Sequence, residues 1–122
     1  MPMEPRRPQR VGDLLLREVA QILQKDVKDP RVKFAALTGV DVSPDLRVAR
    51  VYFTAISDAA SPEEVGKGLH SACAFIRREV GRRTRLKVVP ELRFVHDESF
   101  ERGFRLQEIL ESVRDESEEP DQ

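Results

Sequence analysis

SPEEVGKGLHSACAFIRREVGRRTRLK, residues 61–87, decides how this chain folds. Read as a loop, its glycines would suit a phosphate; read as a helix, it would cover a sheet. Ser61 is placed to cap a helix, Pro62 suits the first helical position, and Glu64 completes a reciprocal capping box. With the start set at Ser61, the glycines of VGKG, residues 65–68, fall inside the helix. Their backbone N–H groups are then bonded within it and are not free to cradle phosphate. At about 100° per residue, Val65, Leu69, Ala72, Ile76 and Val80 share one face. Lys67, His70, Ala74, Arg77 and Arg78 gather on the opposite one. Gly81 predicts a break.

Working outward, LKVVPELRFVHD, residues 86–97, reads as a strand, with Pro90 marking a bulge or a strand start. Before the helix, FAALTGVDV, residues 34–42, and RVARVYFTAI, residues 47–56, are β-rich. The second alternates Ala49, Val51, Phe53 and Ala55 on one face. SPDL between them supplies a turn with Pro44 at its second position, so the two strands should pair as an antiparallel hairpin. Earlier still, Val11, Leu14, Leu15, Val19, Ile22, Leu23 and Val27 form a helical stripe, which Pro30 should end near Asp29.

The outermost segments differ in kind. MPMEPRRPQR, residues 1–10, holds three prolines and three arginines and reads as a flexible basic arm. SFERGFRLQEILESV, residues 99–113, predicts a short amphipathic helix capped by Ser99, and RDESEEPDQ, residues 114–122, a disordered acidic tail. The order is helix, strand, strand, helix, strand and a C-terminal helix. This is an α+β domain in which helices bury their stripes on one face of a three-stranded sheet. We place the arm at residues 1–7, the folded domain at 8–113 and the tail at 114–122.

At 122 residues the chain suits one domain with a single core. No apolar run approaches the roughly 18 residues a membrane span needs, and the N-terminus has no signal-peptide pattern. Cytoplasmic residence is the expectation. The net charge of −1 conceals a division: residues 95–122 hold ten acids and three bases, leaving residues 1–94 with a net charge of +6. Within residues 76–87 there are six Arg or Lys side chains and one acid. Arginine presents a planar fork of donors suited to phosphate, and cations this dense repel one another unless an anion or solvent intervenes. The candidate nucleic-acid contacts are Arg7 and Arg10 near the N-terminus, Lys67, Arg77 and Arg78 on the helix, and Arg82, Arg83, Arg85 and Lys87 beyond.

A catalytic reading finds little support. His70 and Cys73 are near neighbours on the helix, but Cys73 borders the apolar face and is expected to pack as a small hydrophobe. His96, Asp97 and Glu98 sit where a strand hands over to a helix, where carboxylates cap more often than they bind metal. The single cysteine excludes an internal disulfide and a four-cysteine zinc site. No HExxH, GxSxG, Walker or CxxC pattern occurs. No enzyme, cofactor or metal is expected.

RPQRVGDLLLREVAQILQKDVKDPRV, GVDVSPDLRVARVYFT and AFIRREVGRRTRLKVVPELRFVHDESF resemble the bacterial ribosome-binding factor A family, in order and spacing, over residues 7 to about 113. The resemblance implies a KH-like, type II-related fold of helix–strand–strand–helix–helix–strand order. KH domains clamp single strands with a GXXG loop between two helices. The family has a kinked Ala-x-Gly junction there, and the matching residues are Ala72, Cys73 and Ala74, with alanine in place of the glycine. The resemblance further implies a monomeric factor that binds the free 30S ribosomal subunit and its 16S rRNA. It would assist late maturation and processing of the precursor ends, with a role in cold shock, and would not be an enzyme. The alternatives are a KH-like module for other single-stranded RNA, a metal-dependent hydrolase using His96, Asp97 and Glu98, and a protein-binding scaffold.

Overall fold

The computed structural model describes residues 7–99. The N-terminal stripe forms helix α1, Arg7–Lys25, which buries Val11, Leu15, Val19, Ile22 and Leu23. The helix begins four residues before the stripe, so Arg7–Arg10 are helical. Pro8 falls in the first turn, where a missing N–H costs nothing. The far end also moves inward. The N–H groups of Asp26 and Val27 both donate to Ile22 O, at 2.9 and 3.2 Å, and close the helix before Pro30 is reached.

Pro30 instead opens a 3-10 helix, Pro30–Phe34, that the periodicity did not announce. Asp29 caps it, accepting from the Arg31 backbone N–H at 2.9 Å and from Arg31 Nη2 at 2.6 Å. Those contacts, the side-chain ones foremost, hold the Asp29 carboxyl below the usual carboxylate range.

Strands β1, Ala35–Val42, and β2, Val48–Ala55, pair antiparallel, with an irregularity between Leu37 and Gly39. In the turn joining them, Leu46 N–H donates to Ser43 O at 2.9 Å and Leu46 adopts a positive φ of 63°. That conformation is unusual for a branched residue; here its side chain packs against the core. Strand β3, Glu91–His96, pairs parallel to β2, giving the order β1-β2-β3. A parallel neighbour needs a long crossover, and the second helix supplies it.

Helix α2, Pro62–Arg83, is capped by Ser61, whose Oγ accepts from Glu64 N–H at 3.2 Å. Val65, Leu69, Ile76 and Val80 are fully buried. They join the stripe of α1 and Ala49, Val51, Phe53 and Leu92 of the sheet in one core. The helix runs unbroken through Ala72, Cys73 and Ala74, so the two consecutive helices implied for this region are one helix of 22 residues. Alanine at position 74 favours that continuity, since it lacks the backbone freedom that lets glycine turn a chain.

Nor does Gly81 break the helix, which ends at Thr84. There the backbone N–H and Oγ1 of Thr84 donate to Val80 O at 3.0 and 2.8 Å. Gly68 has a packing role. A Cβ there would lie 2.9 Å from Arg31 Cβ and 3.2 Å from Val32 Cγ1, so only glycine lets the 3-10 helix approach this closely. Glu98 and Ser99 are helical, so Ser99 lies within the helix turn rather than capping it; the rest of the expected helix, residues 100–113, and the tail beyond it fall outside the described residues.

Candidate nucleic-acid interface

The outward face of α2 is set by the burial of its opposite side. Lys67, Ser71, Ala74 and Arg78 are spaced four, three and four apart and are all exposed, so they form one stripe down the helix. The side chains of Lys67 and Arg78 make no hydrogen bond or ion pair with another described residue. Beyond the helix, Arg85 and Lys87 are exposed on either side of Leu86, which packs toward the core. Leu86 is held by its N–H donating to Thr84 Oγ1 at 3.3 Å, which fixes the alternation and turns its basic neighbours to solvent.

Three members of the basic run have partners inside the fold. Arg77 Nε donates to Pro90 O at 3.2 Å and Nη2 to Val89 O at 2.8 Å. The arginine thereby pins the backbone just before β3. Arg82 pairs with Glu79 at 2.6 Å. Arg83 pairs with Asp26 at 2.6 Å and reaches Glu79 at 3.4 Å. Glu79 is only 7% exposed, and a buried carboxylate of this kind requires the cations around it. Arg82 keeps most of its surface in solvent and is still able to meet an anion; Arg83 is two-thirds covered.

Arg7 and Arg10 are exposed on the first turns of α1. At roughly 1.5 Å per residue, Arg10 lies about 22 Å along the axis from Lys25, the end of α1 beside the Arg83–Asp26 pair. One residue that the helical wheel did not flag is Phe75. It lies off the core stripe and is 36% exposed. Its angular position, about 60° from the nearest end of that stripe, was the available signal.

Of the catalytic candidates, Cys73, His96 and Asp97 are engaged structurally, while His70 and Glu98 are exposed. Cys73 Sγ lies 3.6 Å from Leu92 O, and burial pushes its thiol pKa up, against the opposing pull of Arg77. The ring of His96 packs on Phe53 at a centroid distance of 5.6 Å. Asp97 Oδ2 accepts from Thr38 Oγ1 at 2.8 Å. Among the described residues, no group of three or more His, Cys, Asp or Glu side chains is placed to hold a metal. Nor is any helix there long and apolar enough to cross a membrane.

Two helices on one face of a three-stranded sheet of order β1-β2-β3, with β3 reached by a parallel crossover, define a small α+β class of protein. The chain belongs to the ribosome-binding factor A family, whose model matches residues 7–110. It is 44% identical over 113 residues to ribosome-binding factor A of Aromatoleum aromaticum, a match covering 93% of this chain and 89% of that one. The crystal structure of ribosome-binding factor A from Thermus thermophilus superposes with a TM-score of 0.66 at 26% identity, covering 73% of this chain and 93% of that one. Coordinates of the Thermus thermophilus factor fitted into the cryo-EM map of a 30S complex give a TM-score of 0.63 at 25% identity, covering 75% and 96%. Structures of the family have a KH-like fold, and this chain shares it. The family is one of ribosome-binding factors rather than of enzymes.

Proposed function

We propose that this chain is a ribosome assembly factor that binds the immature 30S subunit through its 16S rRNA. It assists late maturation and processing of the precursor ends, and growth depends on it most in the cold. It acts in the cytoplasm, as a monomer when free. Residues 8–113 are the RNA-binding unit, preceded by a basic arm and followed by an acidic tail.

The observation that carries this reading is the cationic stripe of α2 and its continuation into the following loop, on a chain of the ribosome-binding factor A family. Lys67, Arg78, Arg82, Arg85 and Lys87 contact phosphates, and Arg7 and Arg10 form a second contact. Arg77 and Arg83 contribute by holding β3 and α1 against α2. Ala74 lies within the stripe, where its small side chain lets an RNA backbone come close.

A cell lysate resolved on a sucrose gradient tests the partner. The protein is expected with free small subunits and absent from whole ribosomes, and a deletion strain grown cold should accumulate unprocessed 16S rRNA precursor. Association with messenger RNA and none with small subunits would favour the KH-like module for other single-stranded RNA. For the interface, each phosphate neutralised on a single strand contributes a slope of about 0.7 in log affinity against log salt. Replacing Arg78 and Arg85 by Ala should therefore flatten the salt dependence by roughly 1 to 1.5 units. An unchanged slope would remove these two residues from the interface.

A further inference from the structure

Phe34, Phe53 and Phe94 all pack in or against the core, whereas Phe75 does not, and more than a third of it faces solvent. Phe75 stands one turn from Ser71 and one turn from Arg78, so these three share a side of α2. From Lys67 through Arg78 the helix carries no acidic residue. Glu79, one turn beyond Phe75, is buried and covered by Arg82 and Arg83. An aromatic face with Arg78 one turn away and no free acid on that stretch of its helix matches a ligand that is flat and apolar on its faces and joined to an anion. Nucleotides in single-stranded RNA have that chemistry, and every base offers a π-face for stacking. Among the described residues, the other exposed large apolar side chains, Ile56 and Val88, offer no ring.

We propose that Phe75 is a base-stacking subsite: an unpaired nucleobase of the bound RNA lies on its exposed ring while Arg78 holds the adjoining phosphate. The inference rests on the RNA-binding reading above. It adds a contact that removes no charge when it is deleted, and the two are separable for that reason.

The chain contains no Trp and a single Tyr, so Phe75→Trp introduces one dominant fluorophore at the site. Adding a mixed-sequence single-stranded RNA oligonucleotide, or purified immature 30S subunits, should quench that fluorescence with affinity retained. Phe75→Leu, which keeps an apolar side chain and loses the ring, should weaken binding by roughly 5- to 150-fold, the loss expected for one stacked base of about 1–3 kcal/mol. Its salt slope should equal that of the unmodified protein, because no cation is lost. Its melting temperature should stay close to the original, since the side chain lies outside the core.

Binding of Phe75→Leu equal to the original would overturn the proposal, as would an unquenched Phe75→Trp that binds RNA normally. Unquenched fluorescence with a blue shift on subunits alone would mean that Phe75 meets protein instead, which also overturns it. If the unmodified protein binds neither RNA nor subunits, the RNA-binding reading itself fails. If it binds with the expected salt slope while both variants behave like it, only the stacking subsite fails.

Discussion

Arg83, in the last turn of α2, holds Asp26, the residue following α1, at 2.6 Å across 57 positions of sequence. The same guanidinium reaches Glu79, so it closes a small network in which a buried carboxylate is shared by Arg82 and Arg83. Arg83→Ala should lower the melting temperature more than Arg82→Ala, which leaves the α1–α2 link intact. In a double-mutant cycle, Arg83→Ala and Asp26→Ala should be clearly non-additive. Additive losses would mean that the two side chains are neighbours without being coupled.

The two glycines of VGKG should respond oppositely to alanine. At Gly66 a Cβ would meet Phe53 Cζ at an ordinary 3.4 Å, so helix propensity should dominate and raise stability by up to about 1 kcal/mol. At Gly68 the 2.9 Å approach to Arg31 Cβ cannot be relieved by swinging a flexible end away. Gly68→Ala should lower stability by about 1–3 kcal/mol in urea unfolding.

Arg77 grips two successive carbonyls ahead of β3. Arg77→Ala should speed amide exchange at the start of β3 and cost about 1 kcal/mol. Arg77→Lys should restore little of the protection, because an ammonium does not reproduce the planar fork that reaches both oxygens.

Acid should reveal the Asp29 cap. Its carboxyl titrates below the ordinary range in the folded chain, through hydrogen bonds from the Arg31 side chain first and the Arg31 backbone second. The unfolded chain therefore binds the proton more readily, and the resulting stability is complete above the unfolded value and lost as pH falls toward the folded one. Asp45, held by Ser43 Oγ and the Arg47 N–H, behaves alike. Thermal melts should show a constant deficit for Asp29→Asn above about pH 5 that closes as the pH drops further. A deficit independent of pH would mean that the charge is not what the cap uses.

Continuity of α2 fixes what the Ala72–Cys73–Ala74 segment should tolerate. Ala74→Gly places glycine in an exposed helix interior and should cost about 0.5–1 kcal/mol. Cys73→Ala should be close to neutral for subunit binding, since the thiol packs and makes only a long contact to Leu92 O. With its pKa raised by burial, Cys73 should also react with a thiol reagent at about pH 8 more slowly than free cysteine.

Much of this fold was legible because its signals are local. Ser61, Pro62 and the spacing of Val65, Leu69, Ile76 and Val80 announce α2, and the SPDL turn announces the β1–β2 hairpin. What escaped depends on partners distant in sequence. Gly81 looks like a breaker, yet Val80 is buried beside it and Arg83 is clasped by Asp26 beyond it, and together these outweigh a glycine's cost of about 1 kcal/mol. The same non-locality governs the site. The cations were visible in the sequence, but that Arg77 and Arg83 are tied into the fold depends on carbonyls at positions 89 and 90 and on a carboxylate in another element. Phe75 was hidden for a different reason: it belongs to neither of the two faces into which the helix was divided.

The parallel pairing of β2 with β3 also sets an order of events during synthesis. β2 is the middle strand, and its second neighbour begins only at Glu91, with all of α2 in between. A nascent chain that has produced α1 and the β1–β2 hairpin therefore exposes, besides the outer edge of β1, the edge of β2 that β3 will later cover, a template for unwanted pairing with other chains. A chaperone that shields this intermediate has its window from the emergence of Ala55 to that of His96, and slowing translation within α2 should lengthen it and raise the aggregated fraction.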